Sequence, residues 1–202
     1  MKSIDDTLRT IRDITNAIPV KFDIVLVGGV ALILHGVERT TIDVDFCVYA
    51  DAFTNTGSSA FFTILAKHLP KRFSARLLQG SKIPDDPMKR DIIFIDDTEG
   101  EYERIDMLIA QYKWEMEGIE KAVHIADVPF PVLDKPYLAA MKLQATGYKD
   151  AHDVVTLFDL MTDEEKAKTR ELAKRTGRDK KLDRLLSPPL EEEVKEMPEE
   201  YL

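Results

Sequence analysis

The sequence predicts an α+β protein, in which a mixed sheet of about five strands with flanking helices is followed by a helical C-terminal half. Two observations support this fold class. Five short apolar segments bounded by turn residues lie before residue 132, with helical segments between them, and after residue 132 the pattern turns helical. The chain has 202 residues, which is enough for one large domain or two small ones.

The predicted elements before residue 132 alternate between helix and strand. Ser3 is positioned to cap a first amphipathic helix that stops before Pro19. The first strand ends at Gly28-Gly29, and Gly36 closes the short buried helix that follows. We predict strands over 22–27, 43–48, 73–78, 91–95 and 104–109, and further helices over 30–36 and 61–69.

Three helices are predicted in the C-terminal half, over 135–145, 151–161 and 163–176, with Asp163 as the cap of the third. The last residues carry six Glu against one Lys and contribute −5 of the net charge of −9. We therefore expect three parts: an α/β core over 1–132, a helical subdomain over 133–186, and an acidic, mobile tail over 187–202.

Charge and composition exclude several classes of protein. An acidic chain is a poor candidate for coating nucleic acid, since that affinity comes from Lys and Arg neutralising phosphates. The single cysteine, Cys47, cannot form an internal disulfide or a CxxC metal site, so we expect a reducing, cytoplasmic location. The most apolar stretch, 24–34, is shorter than the ~20 residues of a membrane span, and we expect no membrane association.

The most informative stretch runs from Gly28 to Asp45. A strand that ends in two glycines and turns into a helix presents backbone N–H groups with no Cβ in the way, which is a geometry that receives phosphate oxygens. Asp43 follows Gly29 by fourteen positions, and Asp43 and Asp45 point to the same face of a strand. Asp106 lies between apolar residues on another predicted strand and is the third candidate carboxylate.

Three carboxylates on neighbouring strands can hold two Mg²⁺ ions, or Mn²⁺, beside a triphosphate. Such a pair of cations moves a nucleotidyl group, because one activates the acceptor hydroxyl and the other stabilises the leaving pyrophosphate. The pattern therefore predicts a metal-dependent transfer reaction.

These residues resemble the DNA polymerase beta-like nucleotidyltransferase superfamily, whose mark is a Gly-Gly or Gly-Ser turn, a strand with two spaced aspartates, and a later lone carboxylate. Over about residues 24–160 the chain is most similar to bacterial minimal and abortive-infection-type nucleotidyltransferases. The resemblance implies a nucleotidyltransferase fold, an NTP such as ATP as substrate, and, as in toxin–antitoxin systems, a cognate antidote protein. The acceptor stays open between an RNA 3′ end, a protein side chain and a small molecule.

Carried over residue by residue, the resemblance assigns Gly28 and Gly29 to the nucleotide phosphates. It assigns Asp43, Asp45 and Asp106 to the metals, with Asp106 as the base or the third ligand. Five further residues are expected to contact the nucleotide: Arg39, Thr40, Thr41, Lys142 and Lys149.

Two other functions are compatible with parts of the sequence. The first is a non-catalytic nucleotide- or partner-binding module on the same fold, which gains support if the three aspartates do not converge. The second is a metal phosphohydrolase that uses His152-Asp153, which requires further histidine ligands nearby. The other histidines are isolated in the sequence, which disfavours this second alternative.

Overall fold

The computed structural model describes residues 2–50, 57–85 and 89–187. Within them, five strands form one mixed sheet in the order β1-β2-β5-β4-β3. The neighbours β2 and β5 run parallel, and the other three pairs are antiparallel. The strands are β1 (Asp23–Val27), β2 (Asp43–Tyr49), β3 (Phe73–Gln79), β4 (Asp91–Asp97) and β5 (Arg104–Ile109).

Helices flank the sheet and make up the C-terminal half, so the predicted α+β class is confirmed. No helix among the described residues is both long and apolar enough to span a bilayer. The α-helices are α1 (Ile4–Asn16), α2 (Gly28–Leu34), α3 (Ser58–His68), α4 (Lys113–Glu120), α5 (Lys135–Gln144), α6 (Tyr148–Asp159), α7 (Asp163–Arg175) and α8 (Asp179–Leu186), and a short 3₁₀ turn covers Gly80–Lys82.

The first helix begins where the sequence predicts. The Ser3 hydroxyl accepts a hydrogen bond from the Asp6 N–H at 3.1 Å, and the Asp6 carboxylate accepts one from the Ser3 N–H at 3.1 Å. This reciprocal cap satisfies two N–H groups that have no partner within the helix. The buried face of α1, which includes the fully buried Ile11, packs towards β2.

Two helices were not predicted. The α4 segment is only eight residues long and contains Gly118, which lowers its intrinsic helix propensity. Packing explains the glycine. A Cβ on Gly118 would come within 3.0 Å of the Tyr137 ring, because α4 approaches α5 too closely for any larger residue. The second, α8, follows the turn at Gly177 and buries Leu182 against the core.

The predicted cap of α7 was wrong by one residue. Thr162, not Asp163, is the N-cap: its hydroxyl accepts from the Glu165 N–H at 3.3 Å, and the Glu165 carboxylate accepts from the Thr162 N–H at 2.7 Å. A Thr with Glu three residues later satisfies two N–H groups at once. Asp163 is instead the first helical residue, where its charge favours the positive end of the helix dipole.

The sheet and the C-terminal helices share one hydrophobic core. A short extended segment around Val132 joins them, since the Leu26 N–H donates to the Pro131 carbonyl at 2.8 Å and the Leu133 N–H donates to the Leu26 carbonyl at 2.9 Å. This segment leads directly into α5, which packs against α6 and α7. The predicted acidic tail lies outside the described residues from 188 onwards.

A buried ion pair anchors α4. Arg90, which precedes β4, donates to the Glu115 carboxylate, and the two side chains are 4% and 0% exposed. The same carboxylate accepts from the backbone N–H groups of Gln111 and Tyr112 at 2.8 and 3.1 Å. Glu115 therefore pairs with a buried guanidinium and also accepts hydrogen bonds from two N–H groups at the start of α4.

We expect Glu115→Ala to lower the free energy of unfolding by about 3 kcal/mol, because it leaves a buried guanidinium without its counter-ion. A matched control is Glu117→Ala on the same helix, since Glu117 pairs with Arg175 at 2.7 Å but both side chains are more than one-third exposed. The control is expected to cost less than about 1 kcal/mol. Urea denaturation of both variants checks the prediction, and equal costs would contradict it.

Candidate active site

The site lies at the end of the sheet where β1 stops and β2 and β5 begin. In the parallel pair β2–β5, Asp45 stands opposite Asp106, and Asp43 stands opposite Arg104. Because residues two apart in a strand share a face, all three carboxylates project from one side of the sheet. An oxygen from each of the three lies within 4.8 Å of the others.

The opposite face of the same strands is apolar. Val44 and Phe46 on β2 and Ile105 and Met107 on β5 are all fully buried. This alternation fixes the register, because a shift of one residue would turn the carboxylates into the core.

Burial and repulsion between carboxylates raise the pKa values of Asp45 and Asp106. The pKa of Asp45 is raised from 3.8 to about 6, first by burial and then by the charges of Asp43 and Asp106. Burial also raises the pKa of Asp106, and a hydrogen bond from Arg104 opposes this shift. The site thus holds more negative charge than its own surroundings stabilise.

The two glycines have a steric role. Gly28 has φ +65°, and a Cβ there would lie 1.9 Å from Oδ2 of Asp45. A Cβ on Gly29 would lie 2.4 Å from Oγ1 of Thr41, and the Gly29 N–H donates to the Asp45 carboxylate. The glycine turn is therefore required by the close approach of site side chains. Its contact with nucleotide phosphates stays a prediction.

The two threonines before β2 have different surroundings. Thr41 donates its hydroxyl hydrogen to Oδ1 of Asp43 at 2.8 Å, so it orients one of the three carboxylates. Thr40 is exposed, and its carbonyl accepts a hydrogen bond from Nε of Arg39 at 3.3 Å.

Arg39 and Lys142 meet at a buried carboxylate that was not among the predicted site residues. Asp153 is 4% exposed and lies 2.5 Å from Nη1 of Arg39 and 3.2 Å from Nζ of Lys142. Lys142 also pairs with Asp150 at 2.7 Å. The network connects the loop before β2 to α5 and α6. In the sequence, Asp150 and Asp153 follow a helical segment that resembles the one in the nucleotidyltransferase family, but neither is assigned a role there.

Lys149 is exposed at the start of α6, and it is not among the residues that line the cavity beside Asp45. The phosphohydrolase alternative finds no support. His152 is exposed, and across residues 2–50, 57–85 and 89–187 the one group of His, Cys, Asp or Glu that could hold a metal is the triad.

Arg104 is a second site residue that was not predicted. Its Nε donates to Oδ1 of Asp106 at 2.9 Å and its Nη2 donates to Oδ2 at 3.0 Å, while Nη2 lies 3.8 Å from Oδ2 of Asp43. The side chain is 46% exposed, and the guanidinium also lies 5.5 Å from the centre of the Phe94 ring. The spacing of Arg104 and Asp106 was visible in the sequence, but the strand pairing that brings in Asp43 was not.

A cavity of about 150 Å³ opens beside Asp45, with Leu138 and Met141 as apolar walls and Lys142 as a cationic one. A larger cavity of about 310 Å³ lies near the other end of β2, where it is lined by Phe61 and other residues. Of the three carboxylates, Asp45 lines the smaller cavity, which therefore adjoins the candidate site.

The triad suits a divalent cation. Three carboxylates offer the hard oxygen ligands that Mg²⁺ and Mn²⁺ prefer, and no sulfur or imidazole takes part. Burial, and secondly the neighbouring carboxylates, raise the pKa values of Asp45 and Asp106, and a bound cation would favour the ionised form of both.

The fold and the three converging aspartates are those that the sequence pattern predicts for a nucleotidyltransferase. A family described as "Nucleotidyl transferase AbiEii toxin, Type IV TA system" matches residues 18–201, and the chain belongs to this family. The predicted relation to abortive-infection-type enzymes is thereby confirmed.

Solved structures are similar at low sequence identity. A nucleotidyltransferase-like protein from Paracoccidioides brasiliensis is 14% identical, with a TM-score of 0.49 over 88% of this chain and 90% of that one. The antibiotic-resistance factor ANT(2'')-Ia is 12% identical, with a TM-score of 0.49 over 89% and 94%. Terminal uridylyl transferase 4 from Trypanosoma brucei with bound CTP is 11% identical, with a TM-score of 0.44, and the match covers 79% of this chain and 53% of that one. No curated protein matches the sequence.

We expect Gly28→Ala to destabilise the protein by clearly more than Gly100→Ala. Gly100 has a similar φ of +68°, but nothing lies within 4 Å of its Cβ position. The control should therefore cost only the left-handed strain of about 1–2 kcal/mol, whereas Gly28→Ala must also displace Asp45. Urea denaturation and Mn²⁺ binding measure the two effects. A Gly28→Ala variant that matches the control in stability and keeps Mn²⁺ affinity would refute the steric role.

We expect Asp45→Asn to stabilise the protein at neutral pH in the absence of divalent cations. A folded-state pKa raised from 3.8 to about 6 means that the folded state loses stability as pH rises through this interval. The substitution removes a penalty on the order of 2 kcal/mol above pH 6 and has no comparable effect near pH 4. Unfolding free energies across this range test the sign, and destabilisation at pH 7.5 would contradict it.

Proposed function

We propose that the protein is a Mg²⁺-dependent nucleotidyltransferase that moves a nucleoside monophosphate from an NTP to a hydroxyl acceptor and releases pyrophosphate. The observation that carries this proposal is the convergence of Asp43, Asp45 and Asp106 on one face of β2 and β5. Membership of a nucleotidyltransferase family supports the reaction type.

Asp43 and Asp45 are proposed as the metal ligands, with Asp106 as the third ligand or the general base. Mg²⁺ bound there would activate the acceptor hydroxyl and stabilise the departing pyrophosphate. Burial raises the pKa of Asp106, which makes it a better proton acceptor than an ordinary aspartate. Thr41 keeps Asp43 turned towards its partners through the hydroxyl hydrogen bond.

The NTP is proposed to bind between the glycine turn and α5. Lys142 lines the cavity beside Asp45 and Gly28 and can neutralise the triphosphate, and Arg39 is held next to it by Asp153. Leu138 supplies an apolar wall for the rest of the nucleotide. The N–H groups of the glycine turn, Thr40 and the exposed Lys149 complete the proposed nucleotide-binding set.

A cognate antitoxin protein and a cytoplasmic location complete the proposal. The family description names a toxin–antitoxin system, which supports such a partner. The acceptor stays one of three chemical classes: an RNA end, a protein side chain or a small molecule.

The direct test incubates the purified protein with Mg²⁺, each α-³²P-labelled NTP in turn, and separate pools of RNA, cell protein and aminoglycosides. We expect label to move into one pool with wild type, and to fall at least about a hundredfold with Asp43→Asn or Asp45→Asn, because both cation ligands are needed for the transition state.

Asp23→Asn is the matched control, since Asp23 is an exposed carboxylate at the far end of β1 and should leave transfer unchanged. Binding of NTP without transfer to any pool would favour the non-catalytic module instead. Transfer that survives both triad substitutions would show that another site carries the reaction.

A further inference from the structure

Arg104 occupies a position that a divalent cation would need. Its guanidinium uses both oxygens of Asp106, at 2.9 and 3.0 Å, and lies 3.8 Å from Asp43. A cation that bridges these two carboxylates requires lone pairs on the same oxygens. Arg104 and a divalent cation would therefore compete for the same carboxylate oxygens.

The surrounding charges explain why a counter-ion is present. Three carboxylates with oxygens within 4.8 Å of one another repel strongly. Lys142, whose charge acts on Asp45, is engaged by Asp150 and Asp153 and makes no ion pair with the triad within the described part of the chain. Arg104 is the cation that directly contacts two of the three carboxylates.

The position of Arg104 also allows it to leave. Nearly half of its side chain is exposed, so the guanidinium can move into solvent without crossing packed protein. Phe94 stands opposite Asp106 on β4, and its ring lies 5.5 Å from the guanidinium, which supports the present position. Solvent reaches the guanidinium end of this ion pair, while the Asp106 side chain is 12% exposed.

We propose that Arg104 is an internal counter-ion of the acidic triad, which occupies the place of the divalent cation and is displaced from Asp43 and Asp106 when that cation binds. This inference rests on the metal site of the proposed function. It adds a residue that sets the affinity of the site for its metal: removal of the competing charge tightens metal binding, although it also removes a partner of Asp106.

The test measures Mn²⁺ affinity directly, by the electron paramagnetic resonance signal of free Mn²⁺ at pH 8. At this pH Asp45, whose pKa in wild type is about 6, is ionised. We expect Arg104→Gln to bind Mn²⁺ about three- to tenfold more tightly than wild type, a range set by the screening of a half-exposed charge. Arg104→Lys is expected to fall between them, because an ammonium cannot fork onto both oxygens of Asp106.

Arg76→Gln is the matched control. Arg76 lies opposite Phe94 on β3, and its guanidinium is 4.1 Å from the centre of the same ring. Its substitution removes the same charge and a contact with the same ring, but no hydrogen bond to the triad is recorded for it among the described residues. We expect its Mn²⁺ affinity to stay within about twofold of wild type.

A thermal melt provides a second readout. Without divalent cations, Arg104→Gln should melt at a lower temperature than wild type, because the triad has lost its counter-ion, and millimolar Mn²⁺ should raise its melting temperature by more than it raises that of wild type. If Arg104→Gln does not fold, Arg104→Lys is used instead. Tighter Mn²⁺ binding than wild type by Arg104→Lys supports the proposal, and unchanged or weaker binding overturns it.

The possible failures are distinguishable. Unchanged or weaker Mn²⁺ binding by Arg104→Gln, with wild type binding normally, overturns the counter-ion role and leaves the metal site intact. Equal tightening by Arg76→Gln also overturns it, because the effect would then be one of general charge. Wild-type binding no tighter than that of Asp45→Asn overturns the proposed metal site itself, and the counter-ion role with it.

Discussion

The packing of Asp45 against the backbone of Gly28 is the constraint on which the site depends. It places a carboxylate between a strand and the start of a helix, where burial raises its pKa to about 6. Only a residue without a Cβ leaves room for it, and the positive φ of Gly28 turns the chain into α2 at the same point. One local arrangement therefore sets the helix, the position of the carboxylate and the charge of the site.

The second constraint is strand register. The parallel pairing of β2 with β5 puts Asp45 beside Asp106, although 61 positions separate them in the chain. The apolar residues between the aspartates hold this register, because they face the core on the other side of the sheet. The apolar residues that face the core therefore set the alignment of β2 and β5, and this alignment also places Asp45 beside Asp106. No contact between the site residues is needed to hold the two strands together.

The difference between local sequence patterns and contacts between distant residues explains how much of the fold and site could be predicted from the sequence. The glycine turn and the aspartates were visible because they form a local pattern on predicted strands, and the order of helices and strands follows from local periodicity. The roles of Asp153 and Arg104 could not be predicted because both depend on partners far away in the chain. The helix α4 was missed for the same reason, since it depends on a buried ion pair with Arg90 rather than on helix propensity.

The charges of the site illustrate how function is maintained at a cost in stability. Three carboxylates in close contact destabilise the folded protein as they ionise, and a sequence selected for stability alone would replace Asp45 by a neutral residue. The chain instead surrounds them with partial compensation: Thr41 donates to Asp43, and Arg104 donates to Asp106. Asp45 receives the least, one backbone N–H and no cation in direct contact among the described residues, and its pKa is raised to about 6. Burial and then the repulsion from Asp43 and Asp106 disfavour the ionised form of Asp45, and a cation bound at that position would relieve both effects.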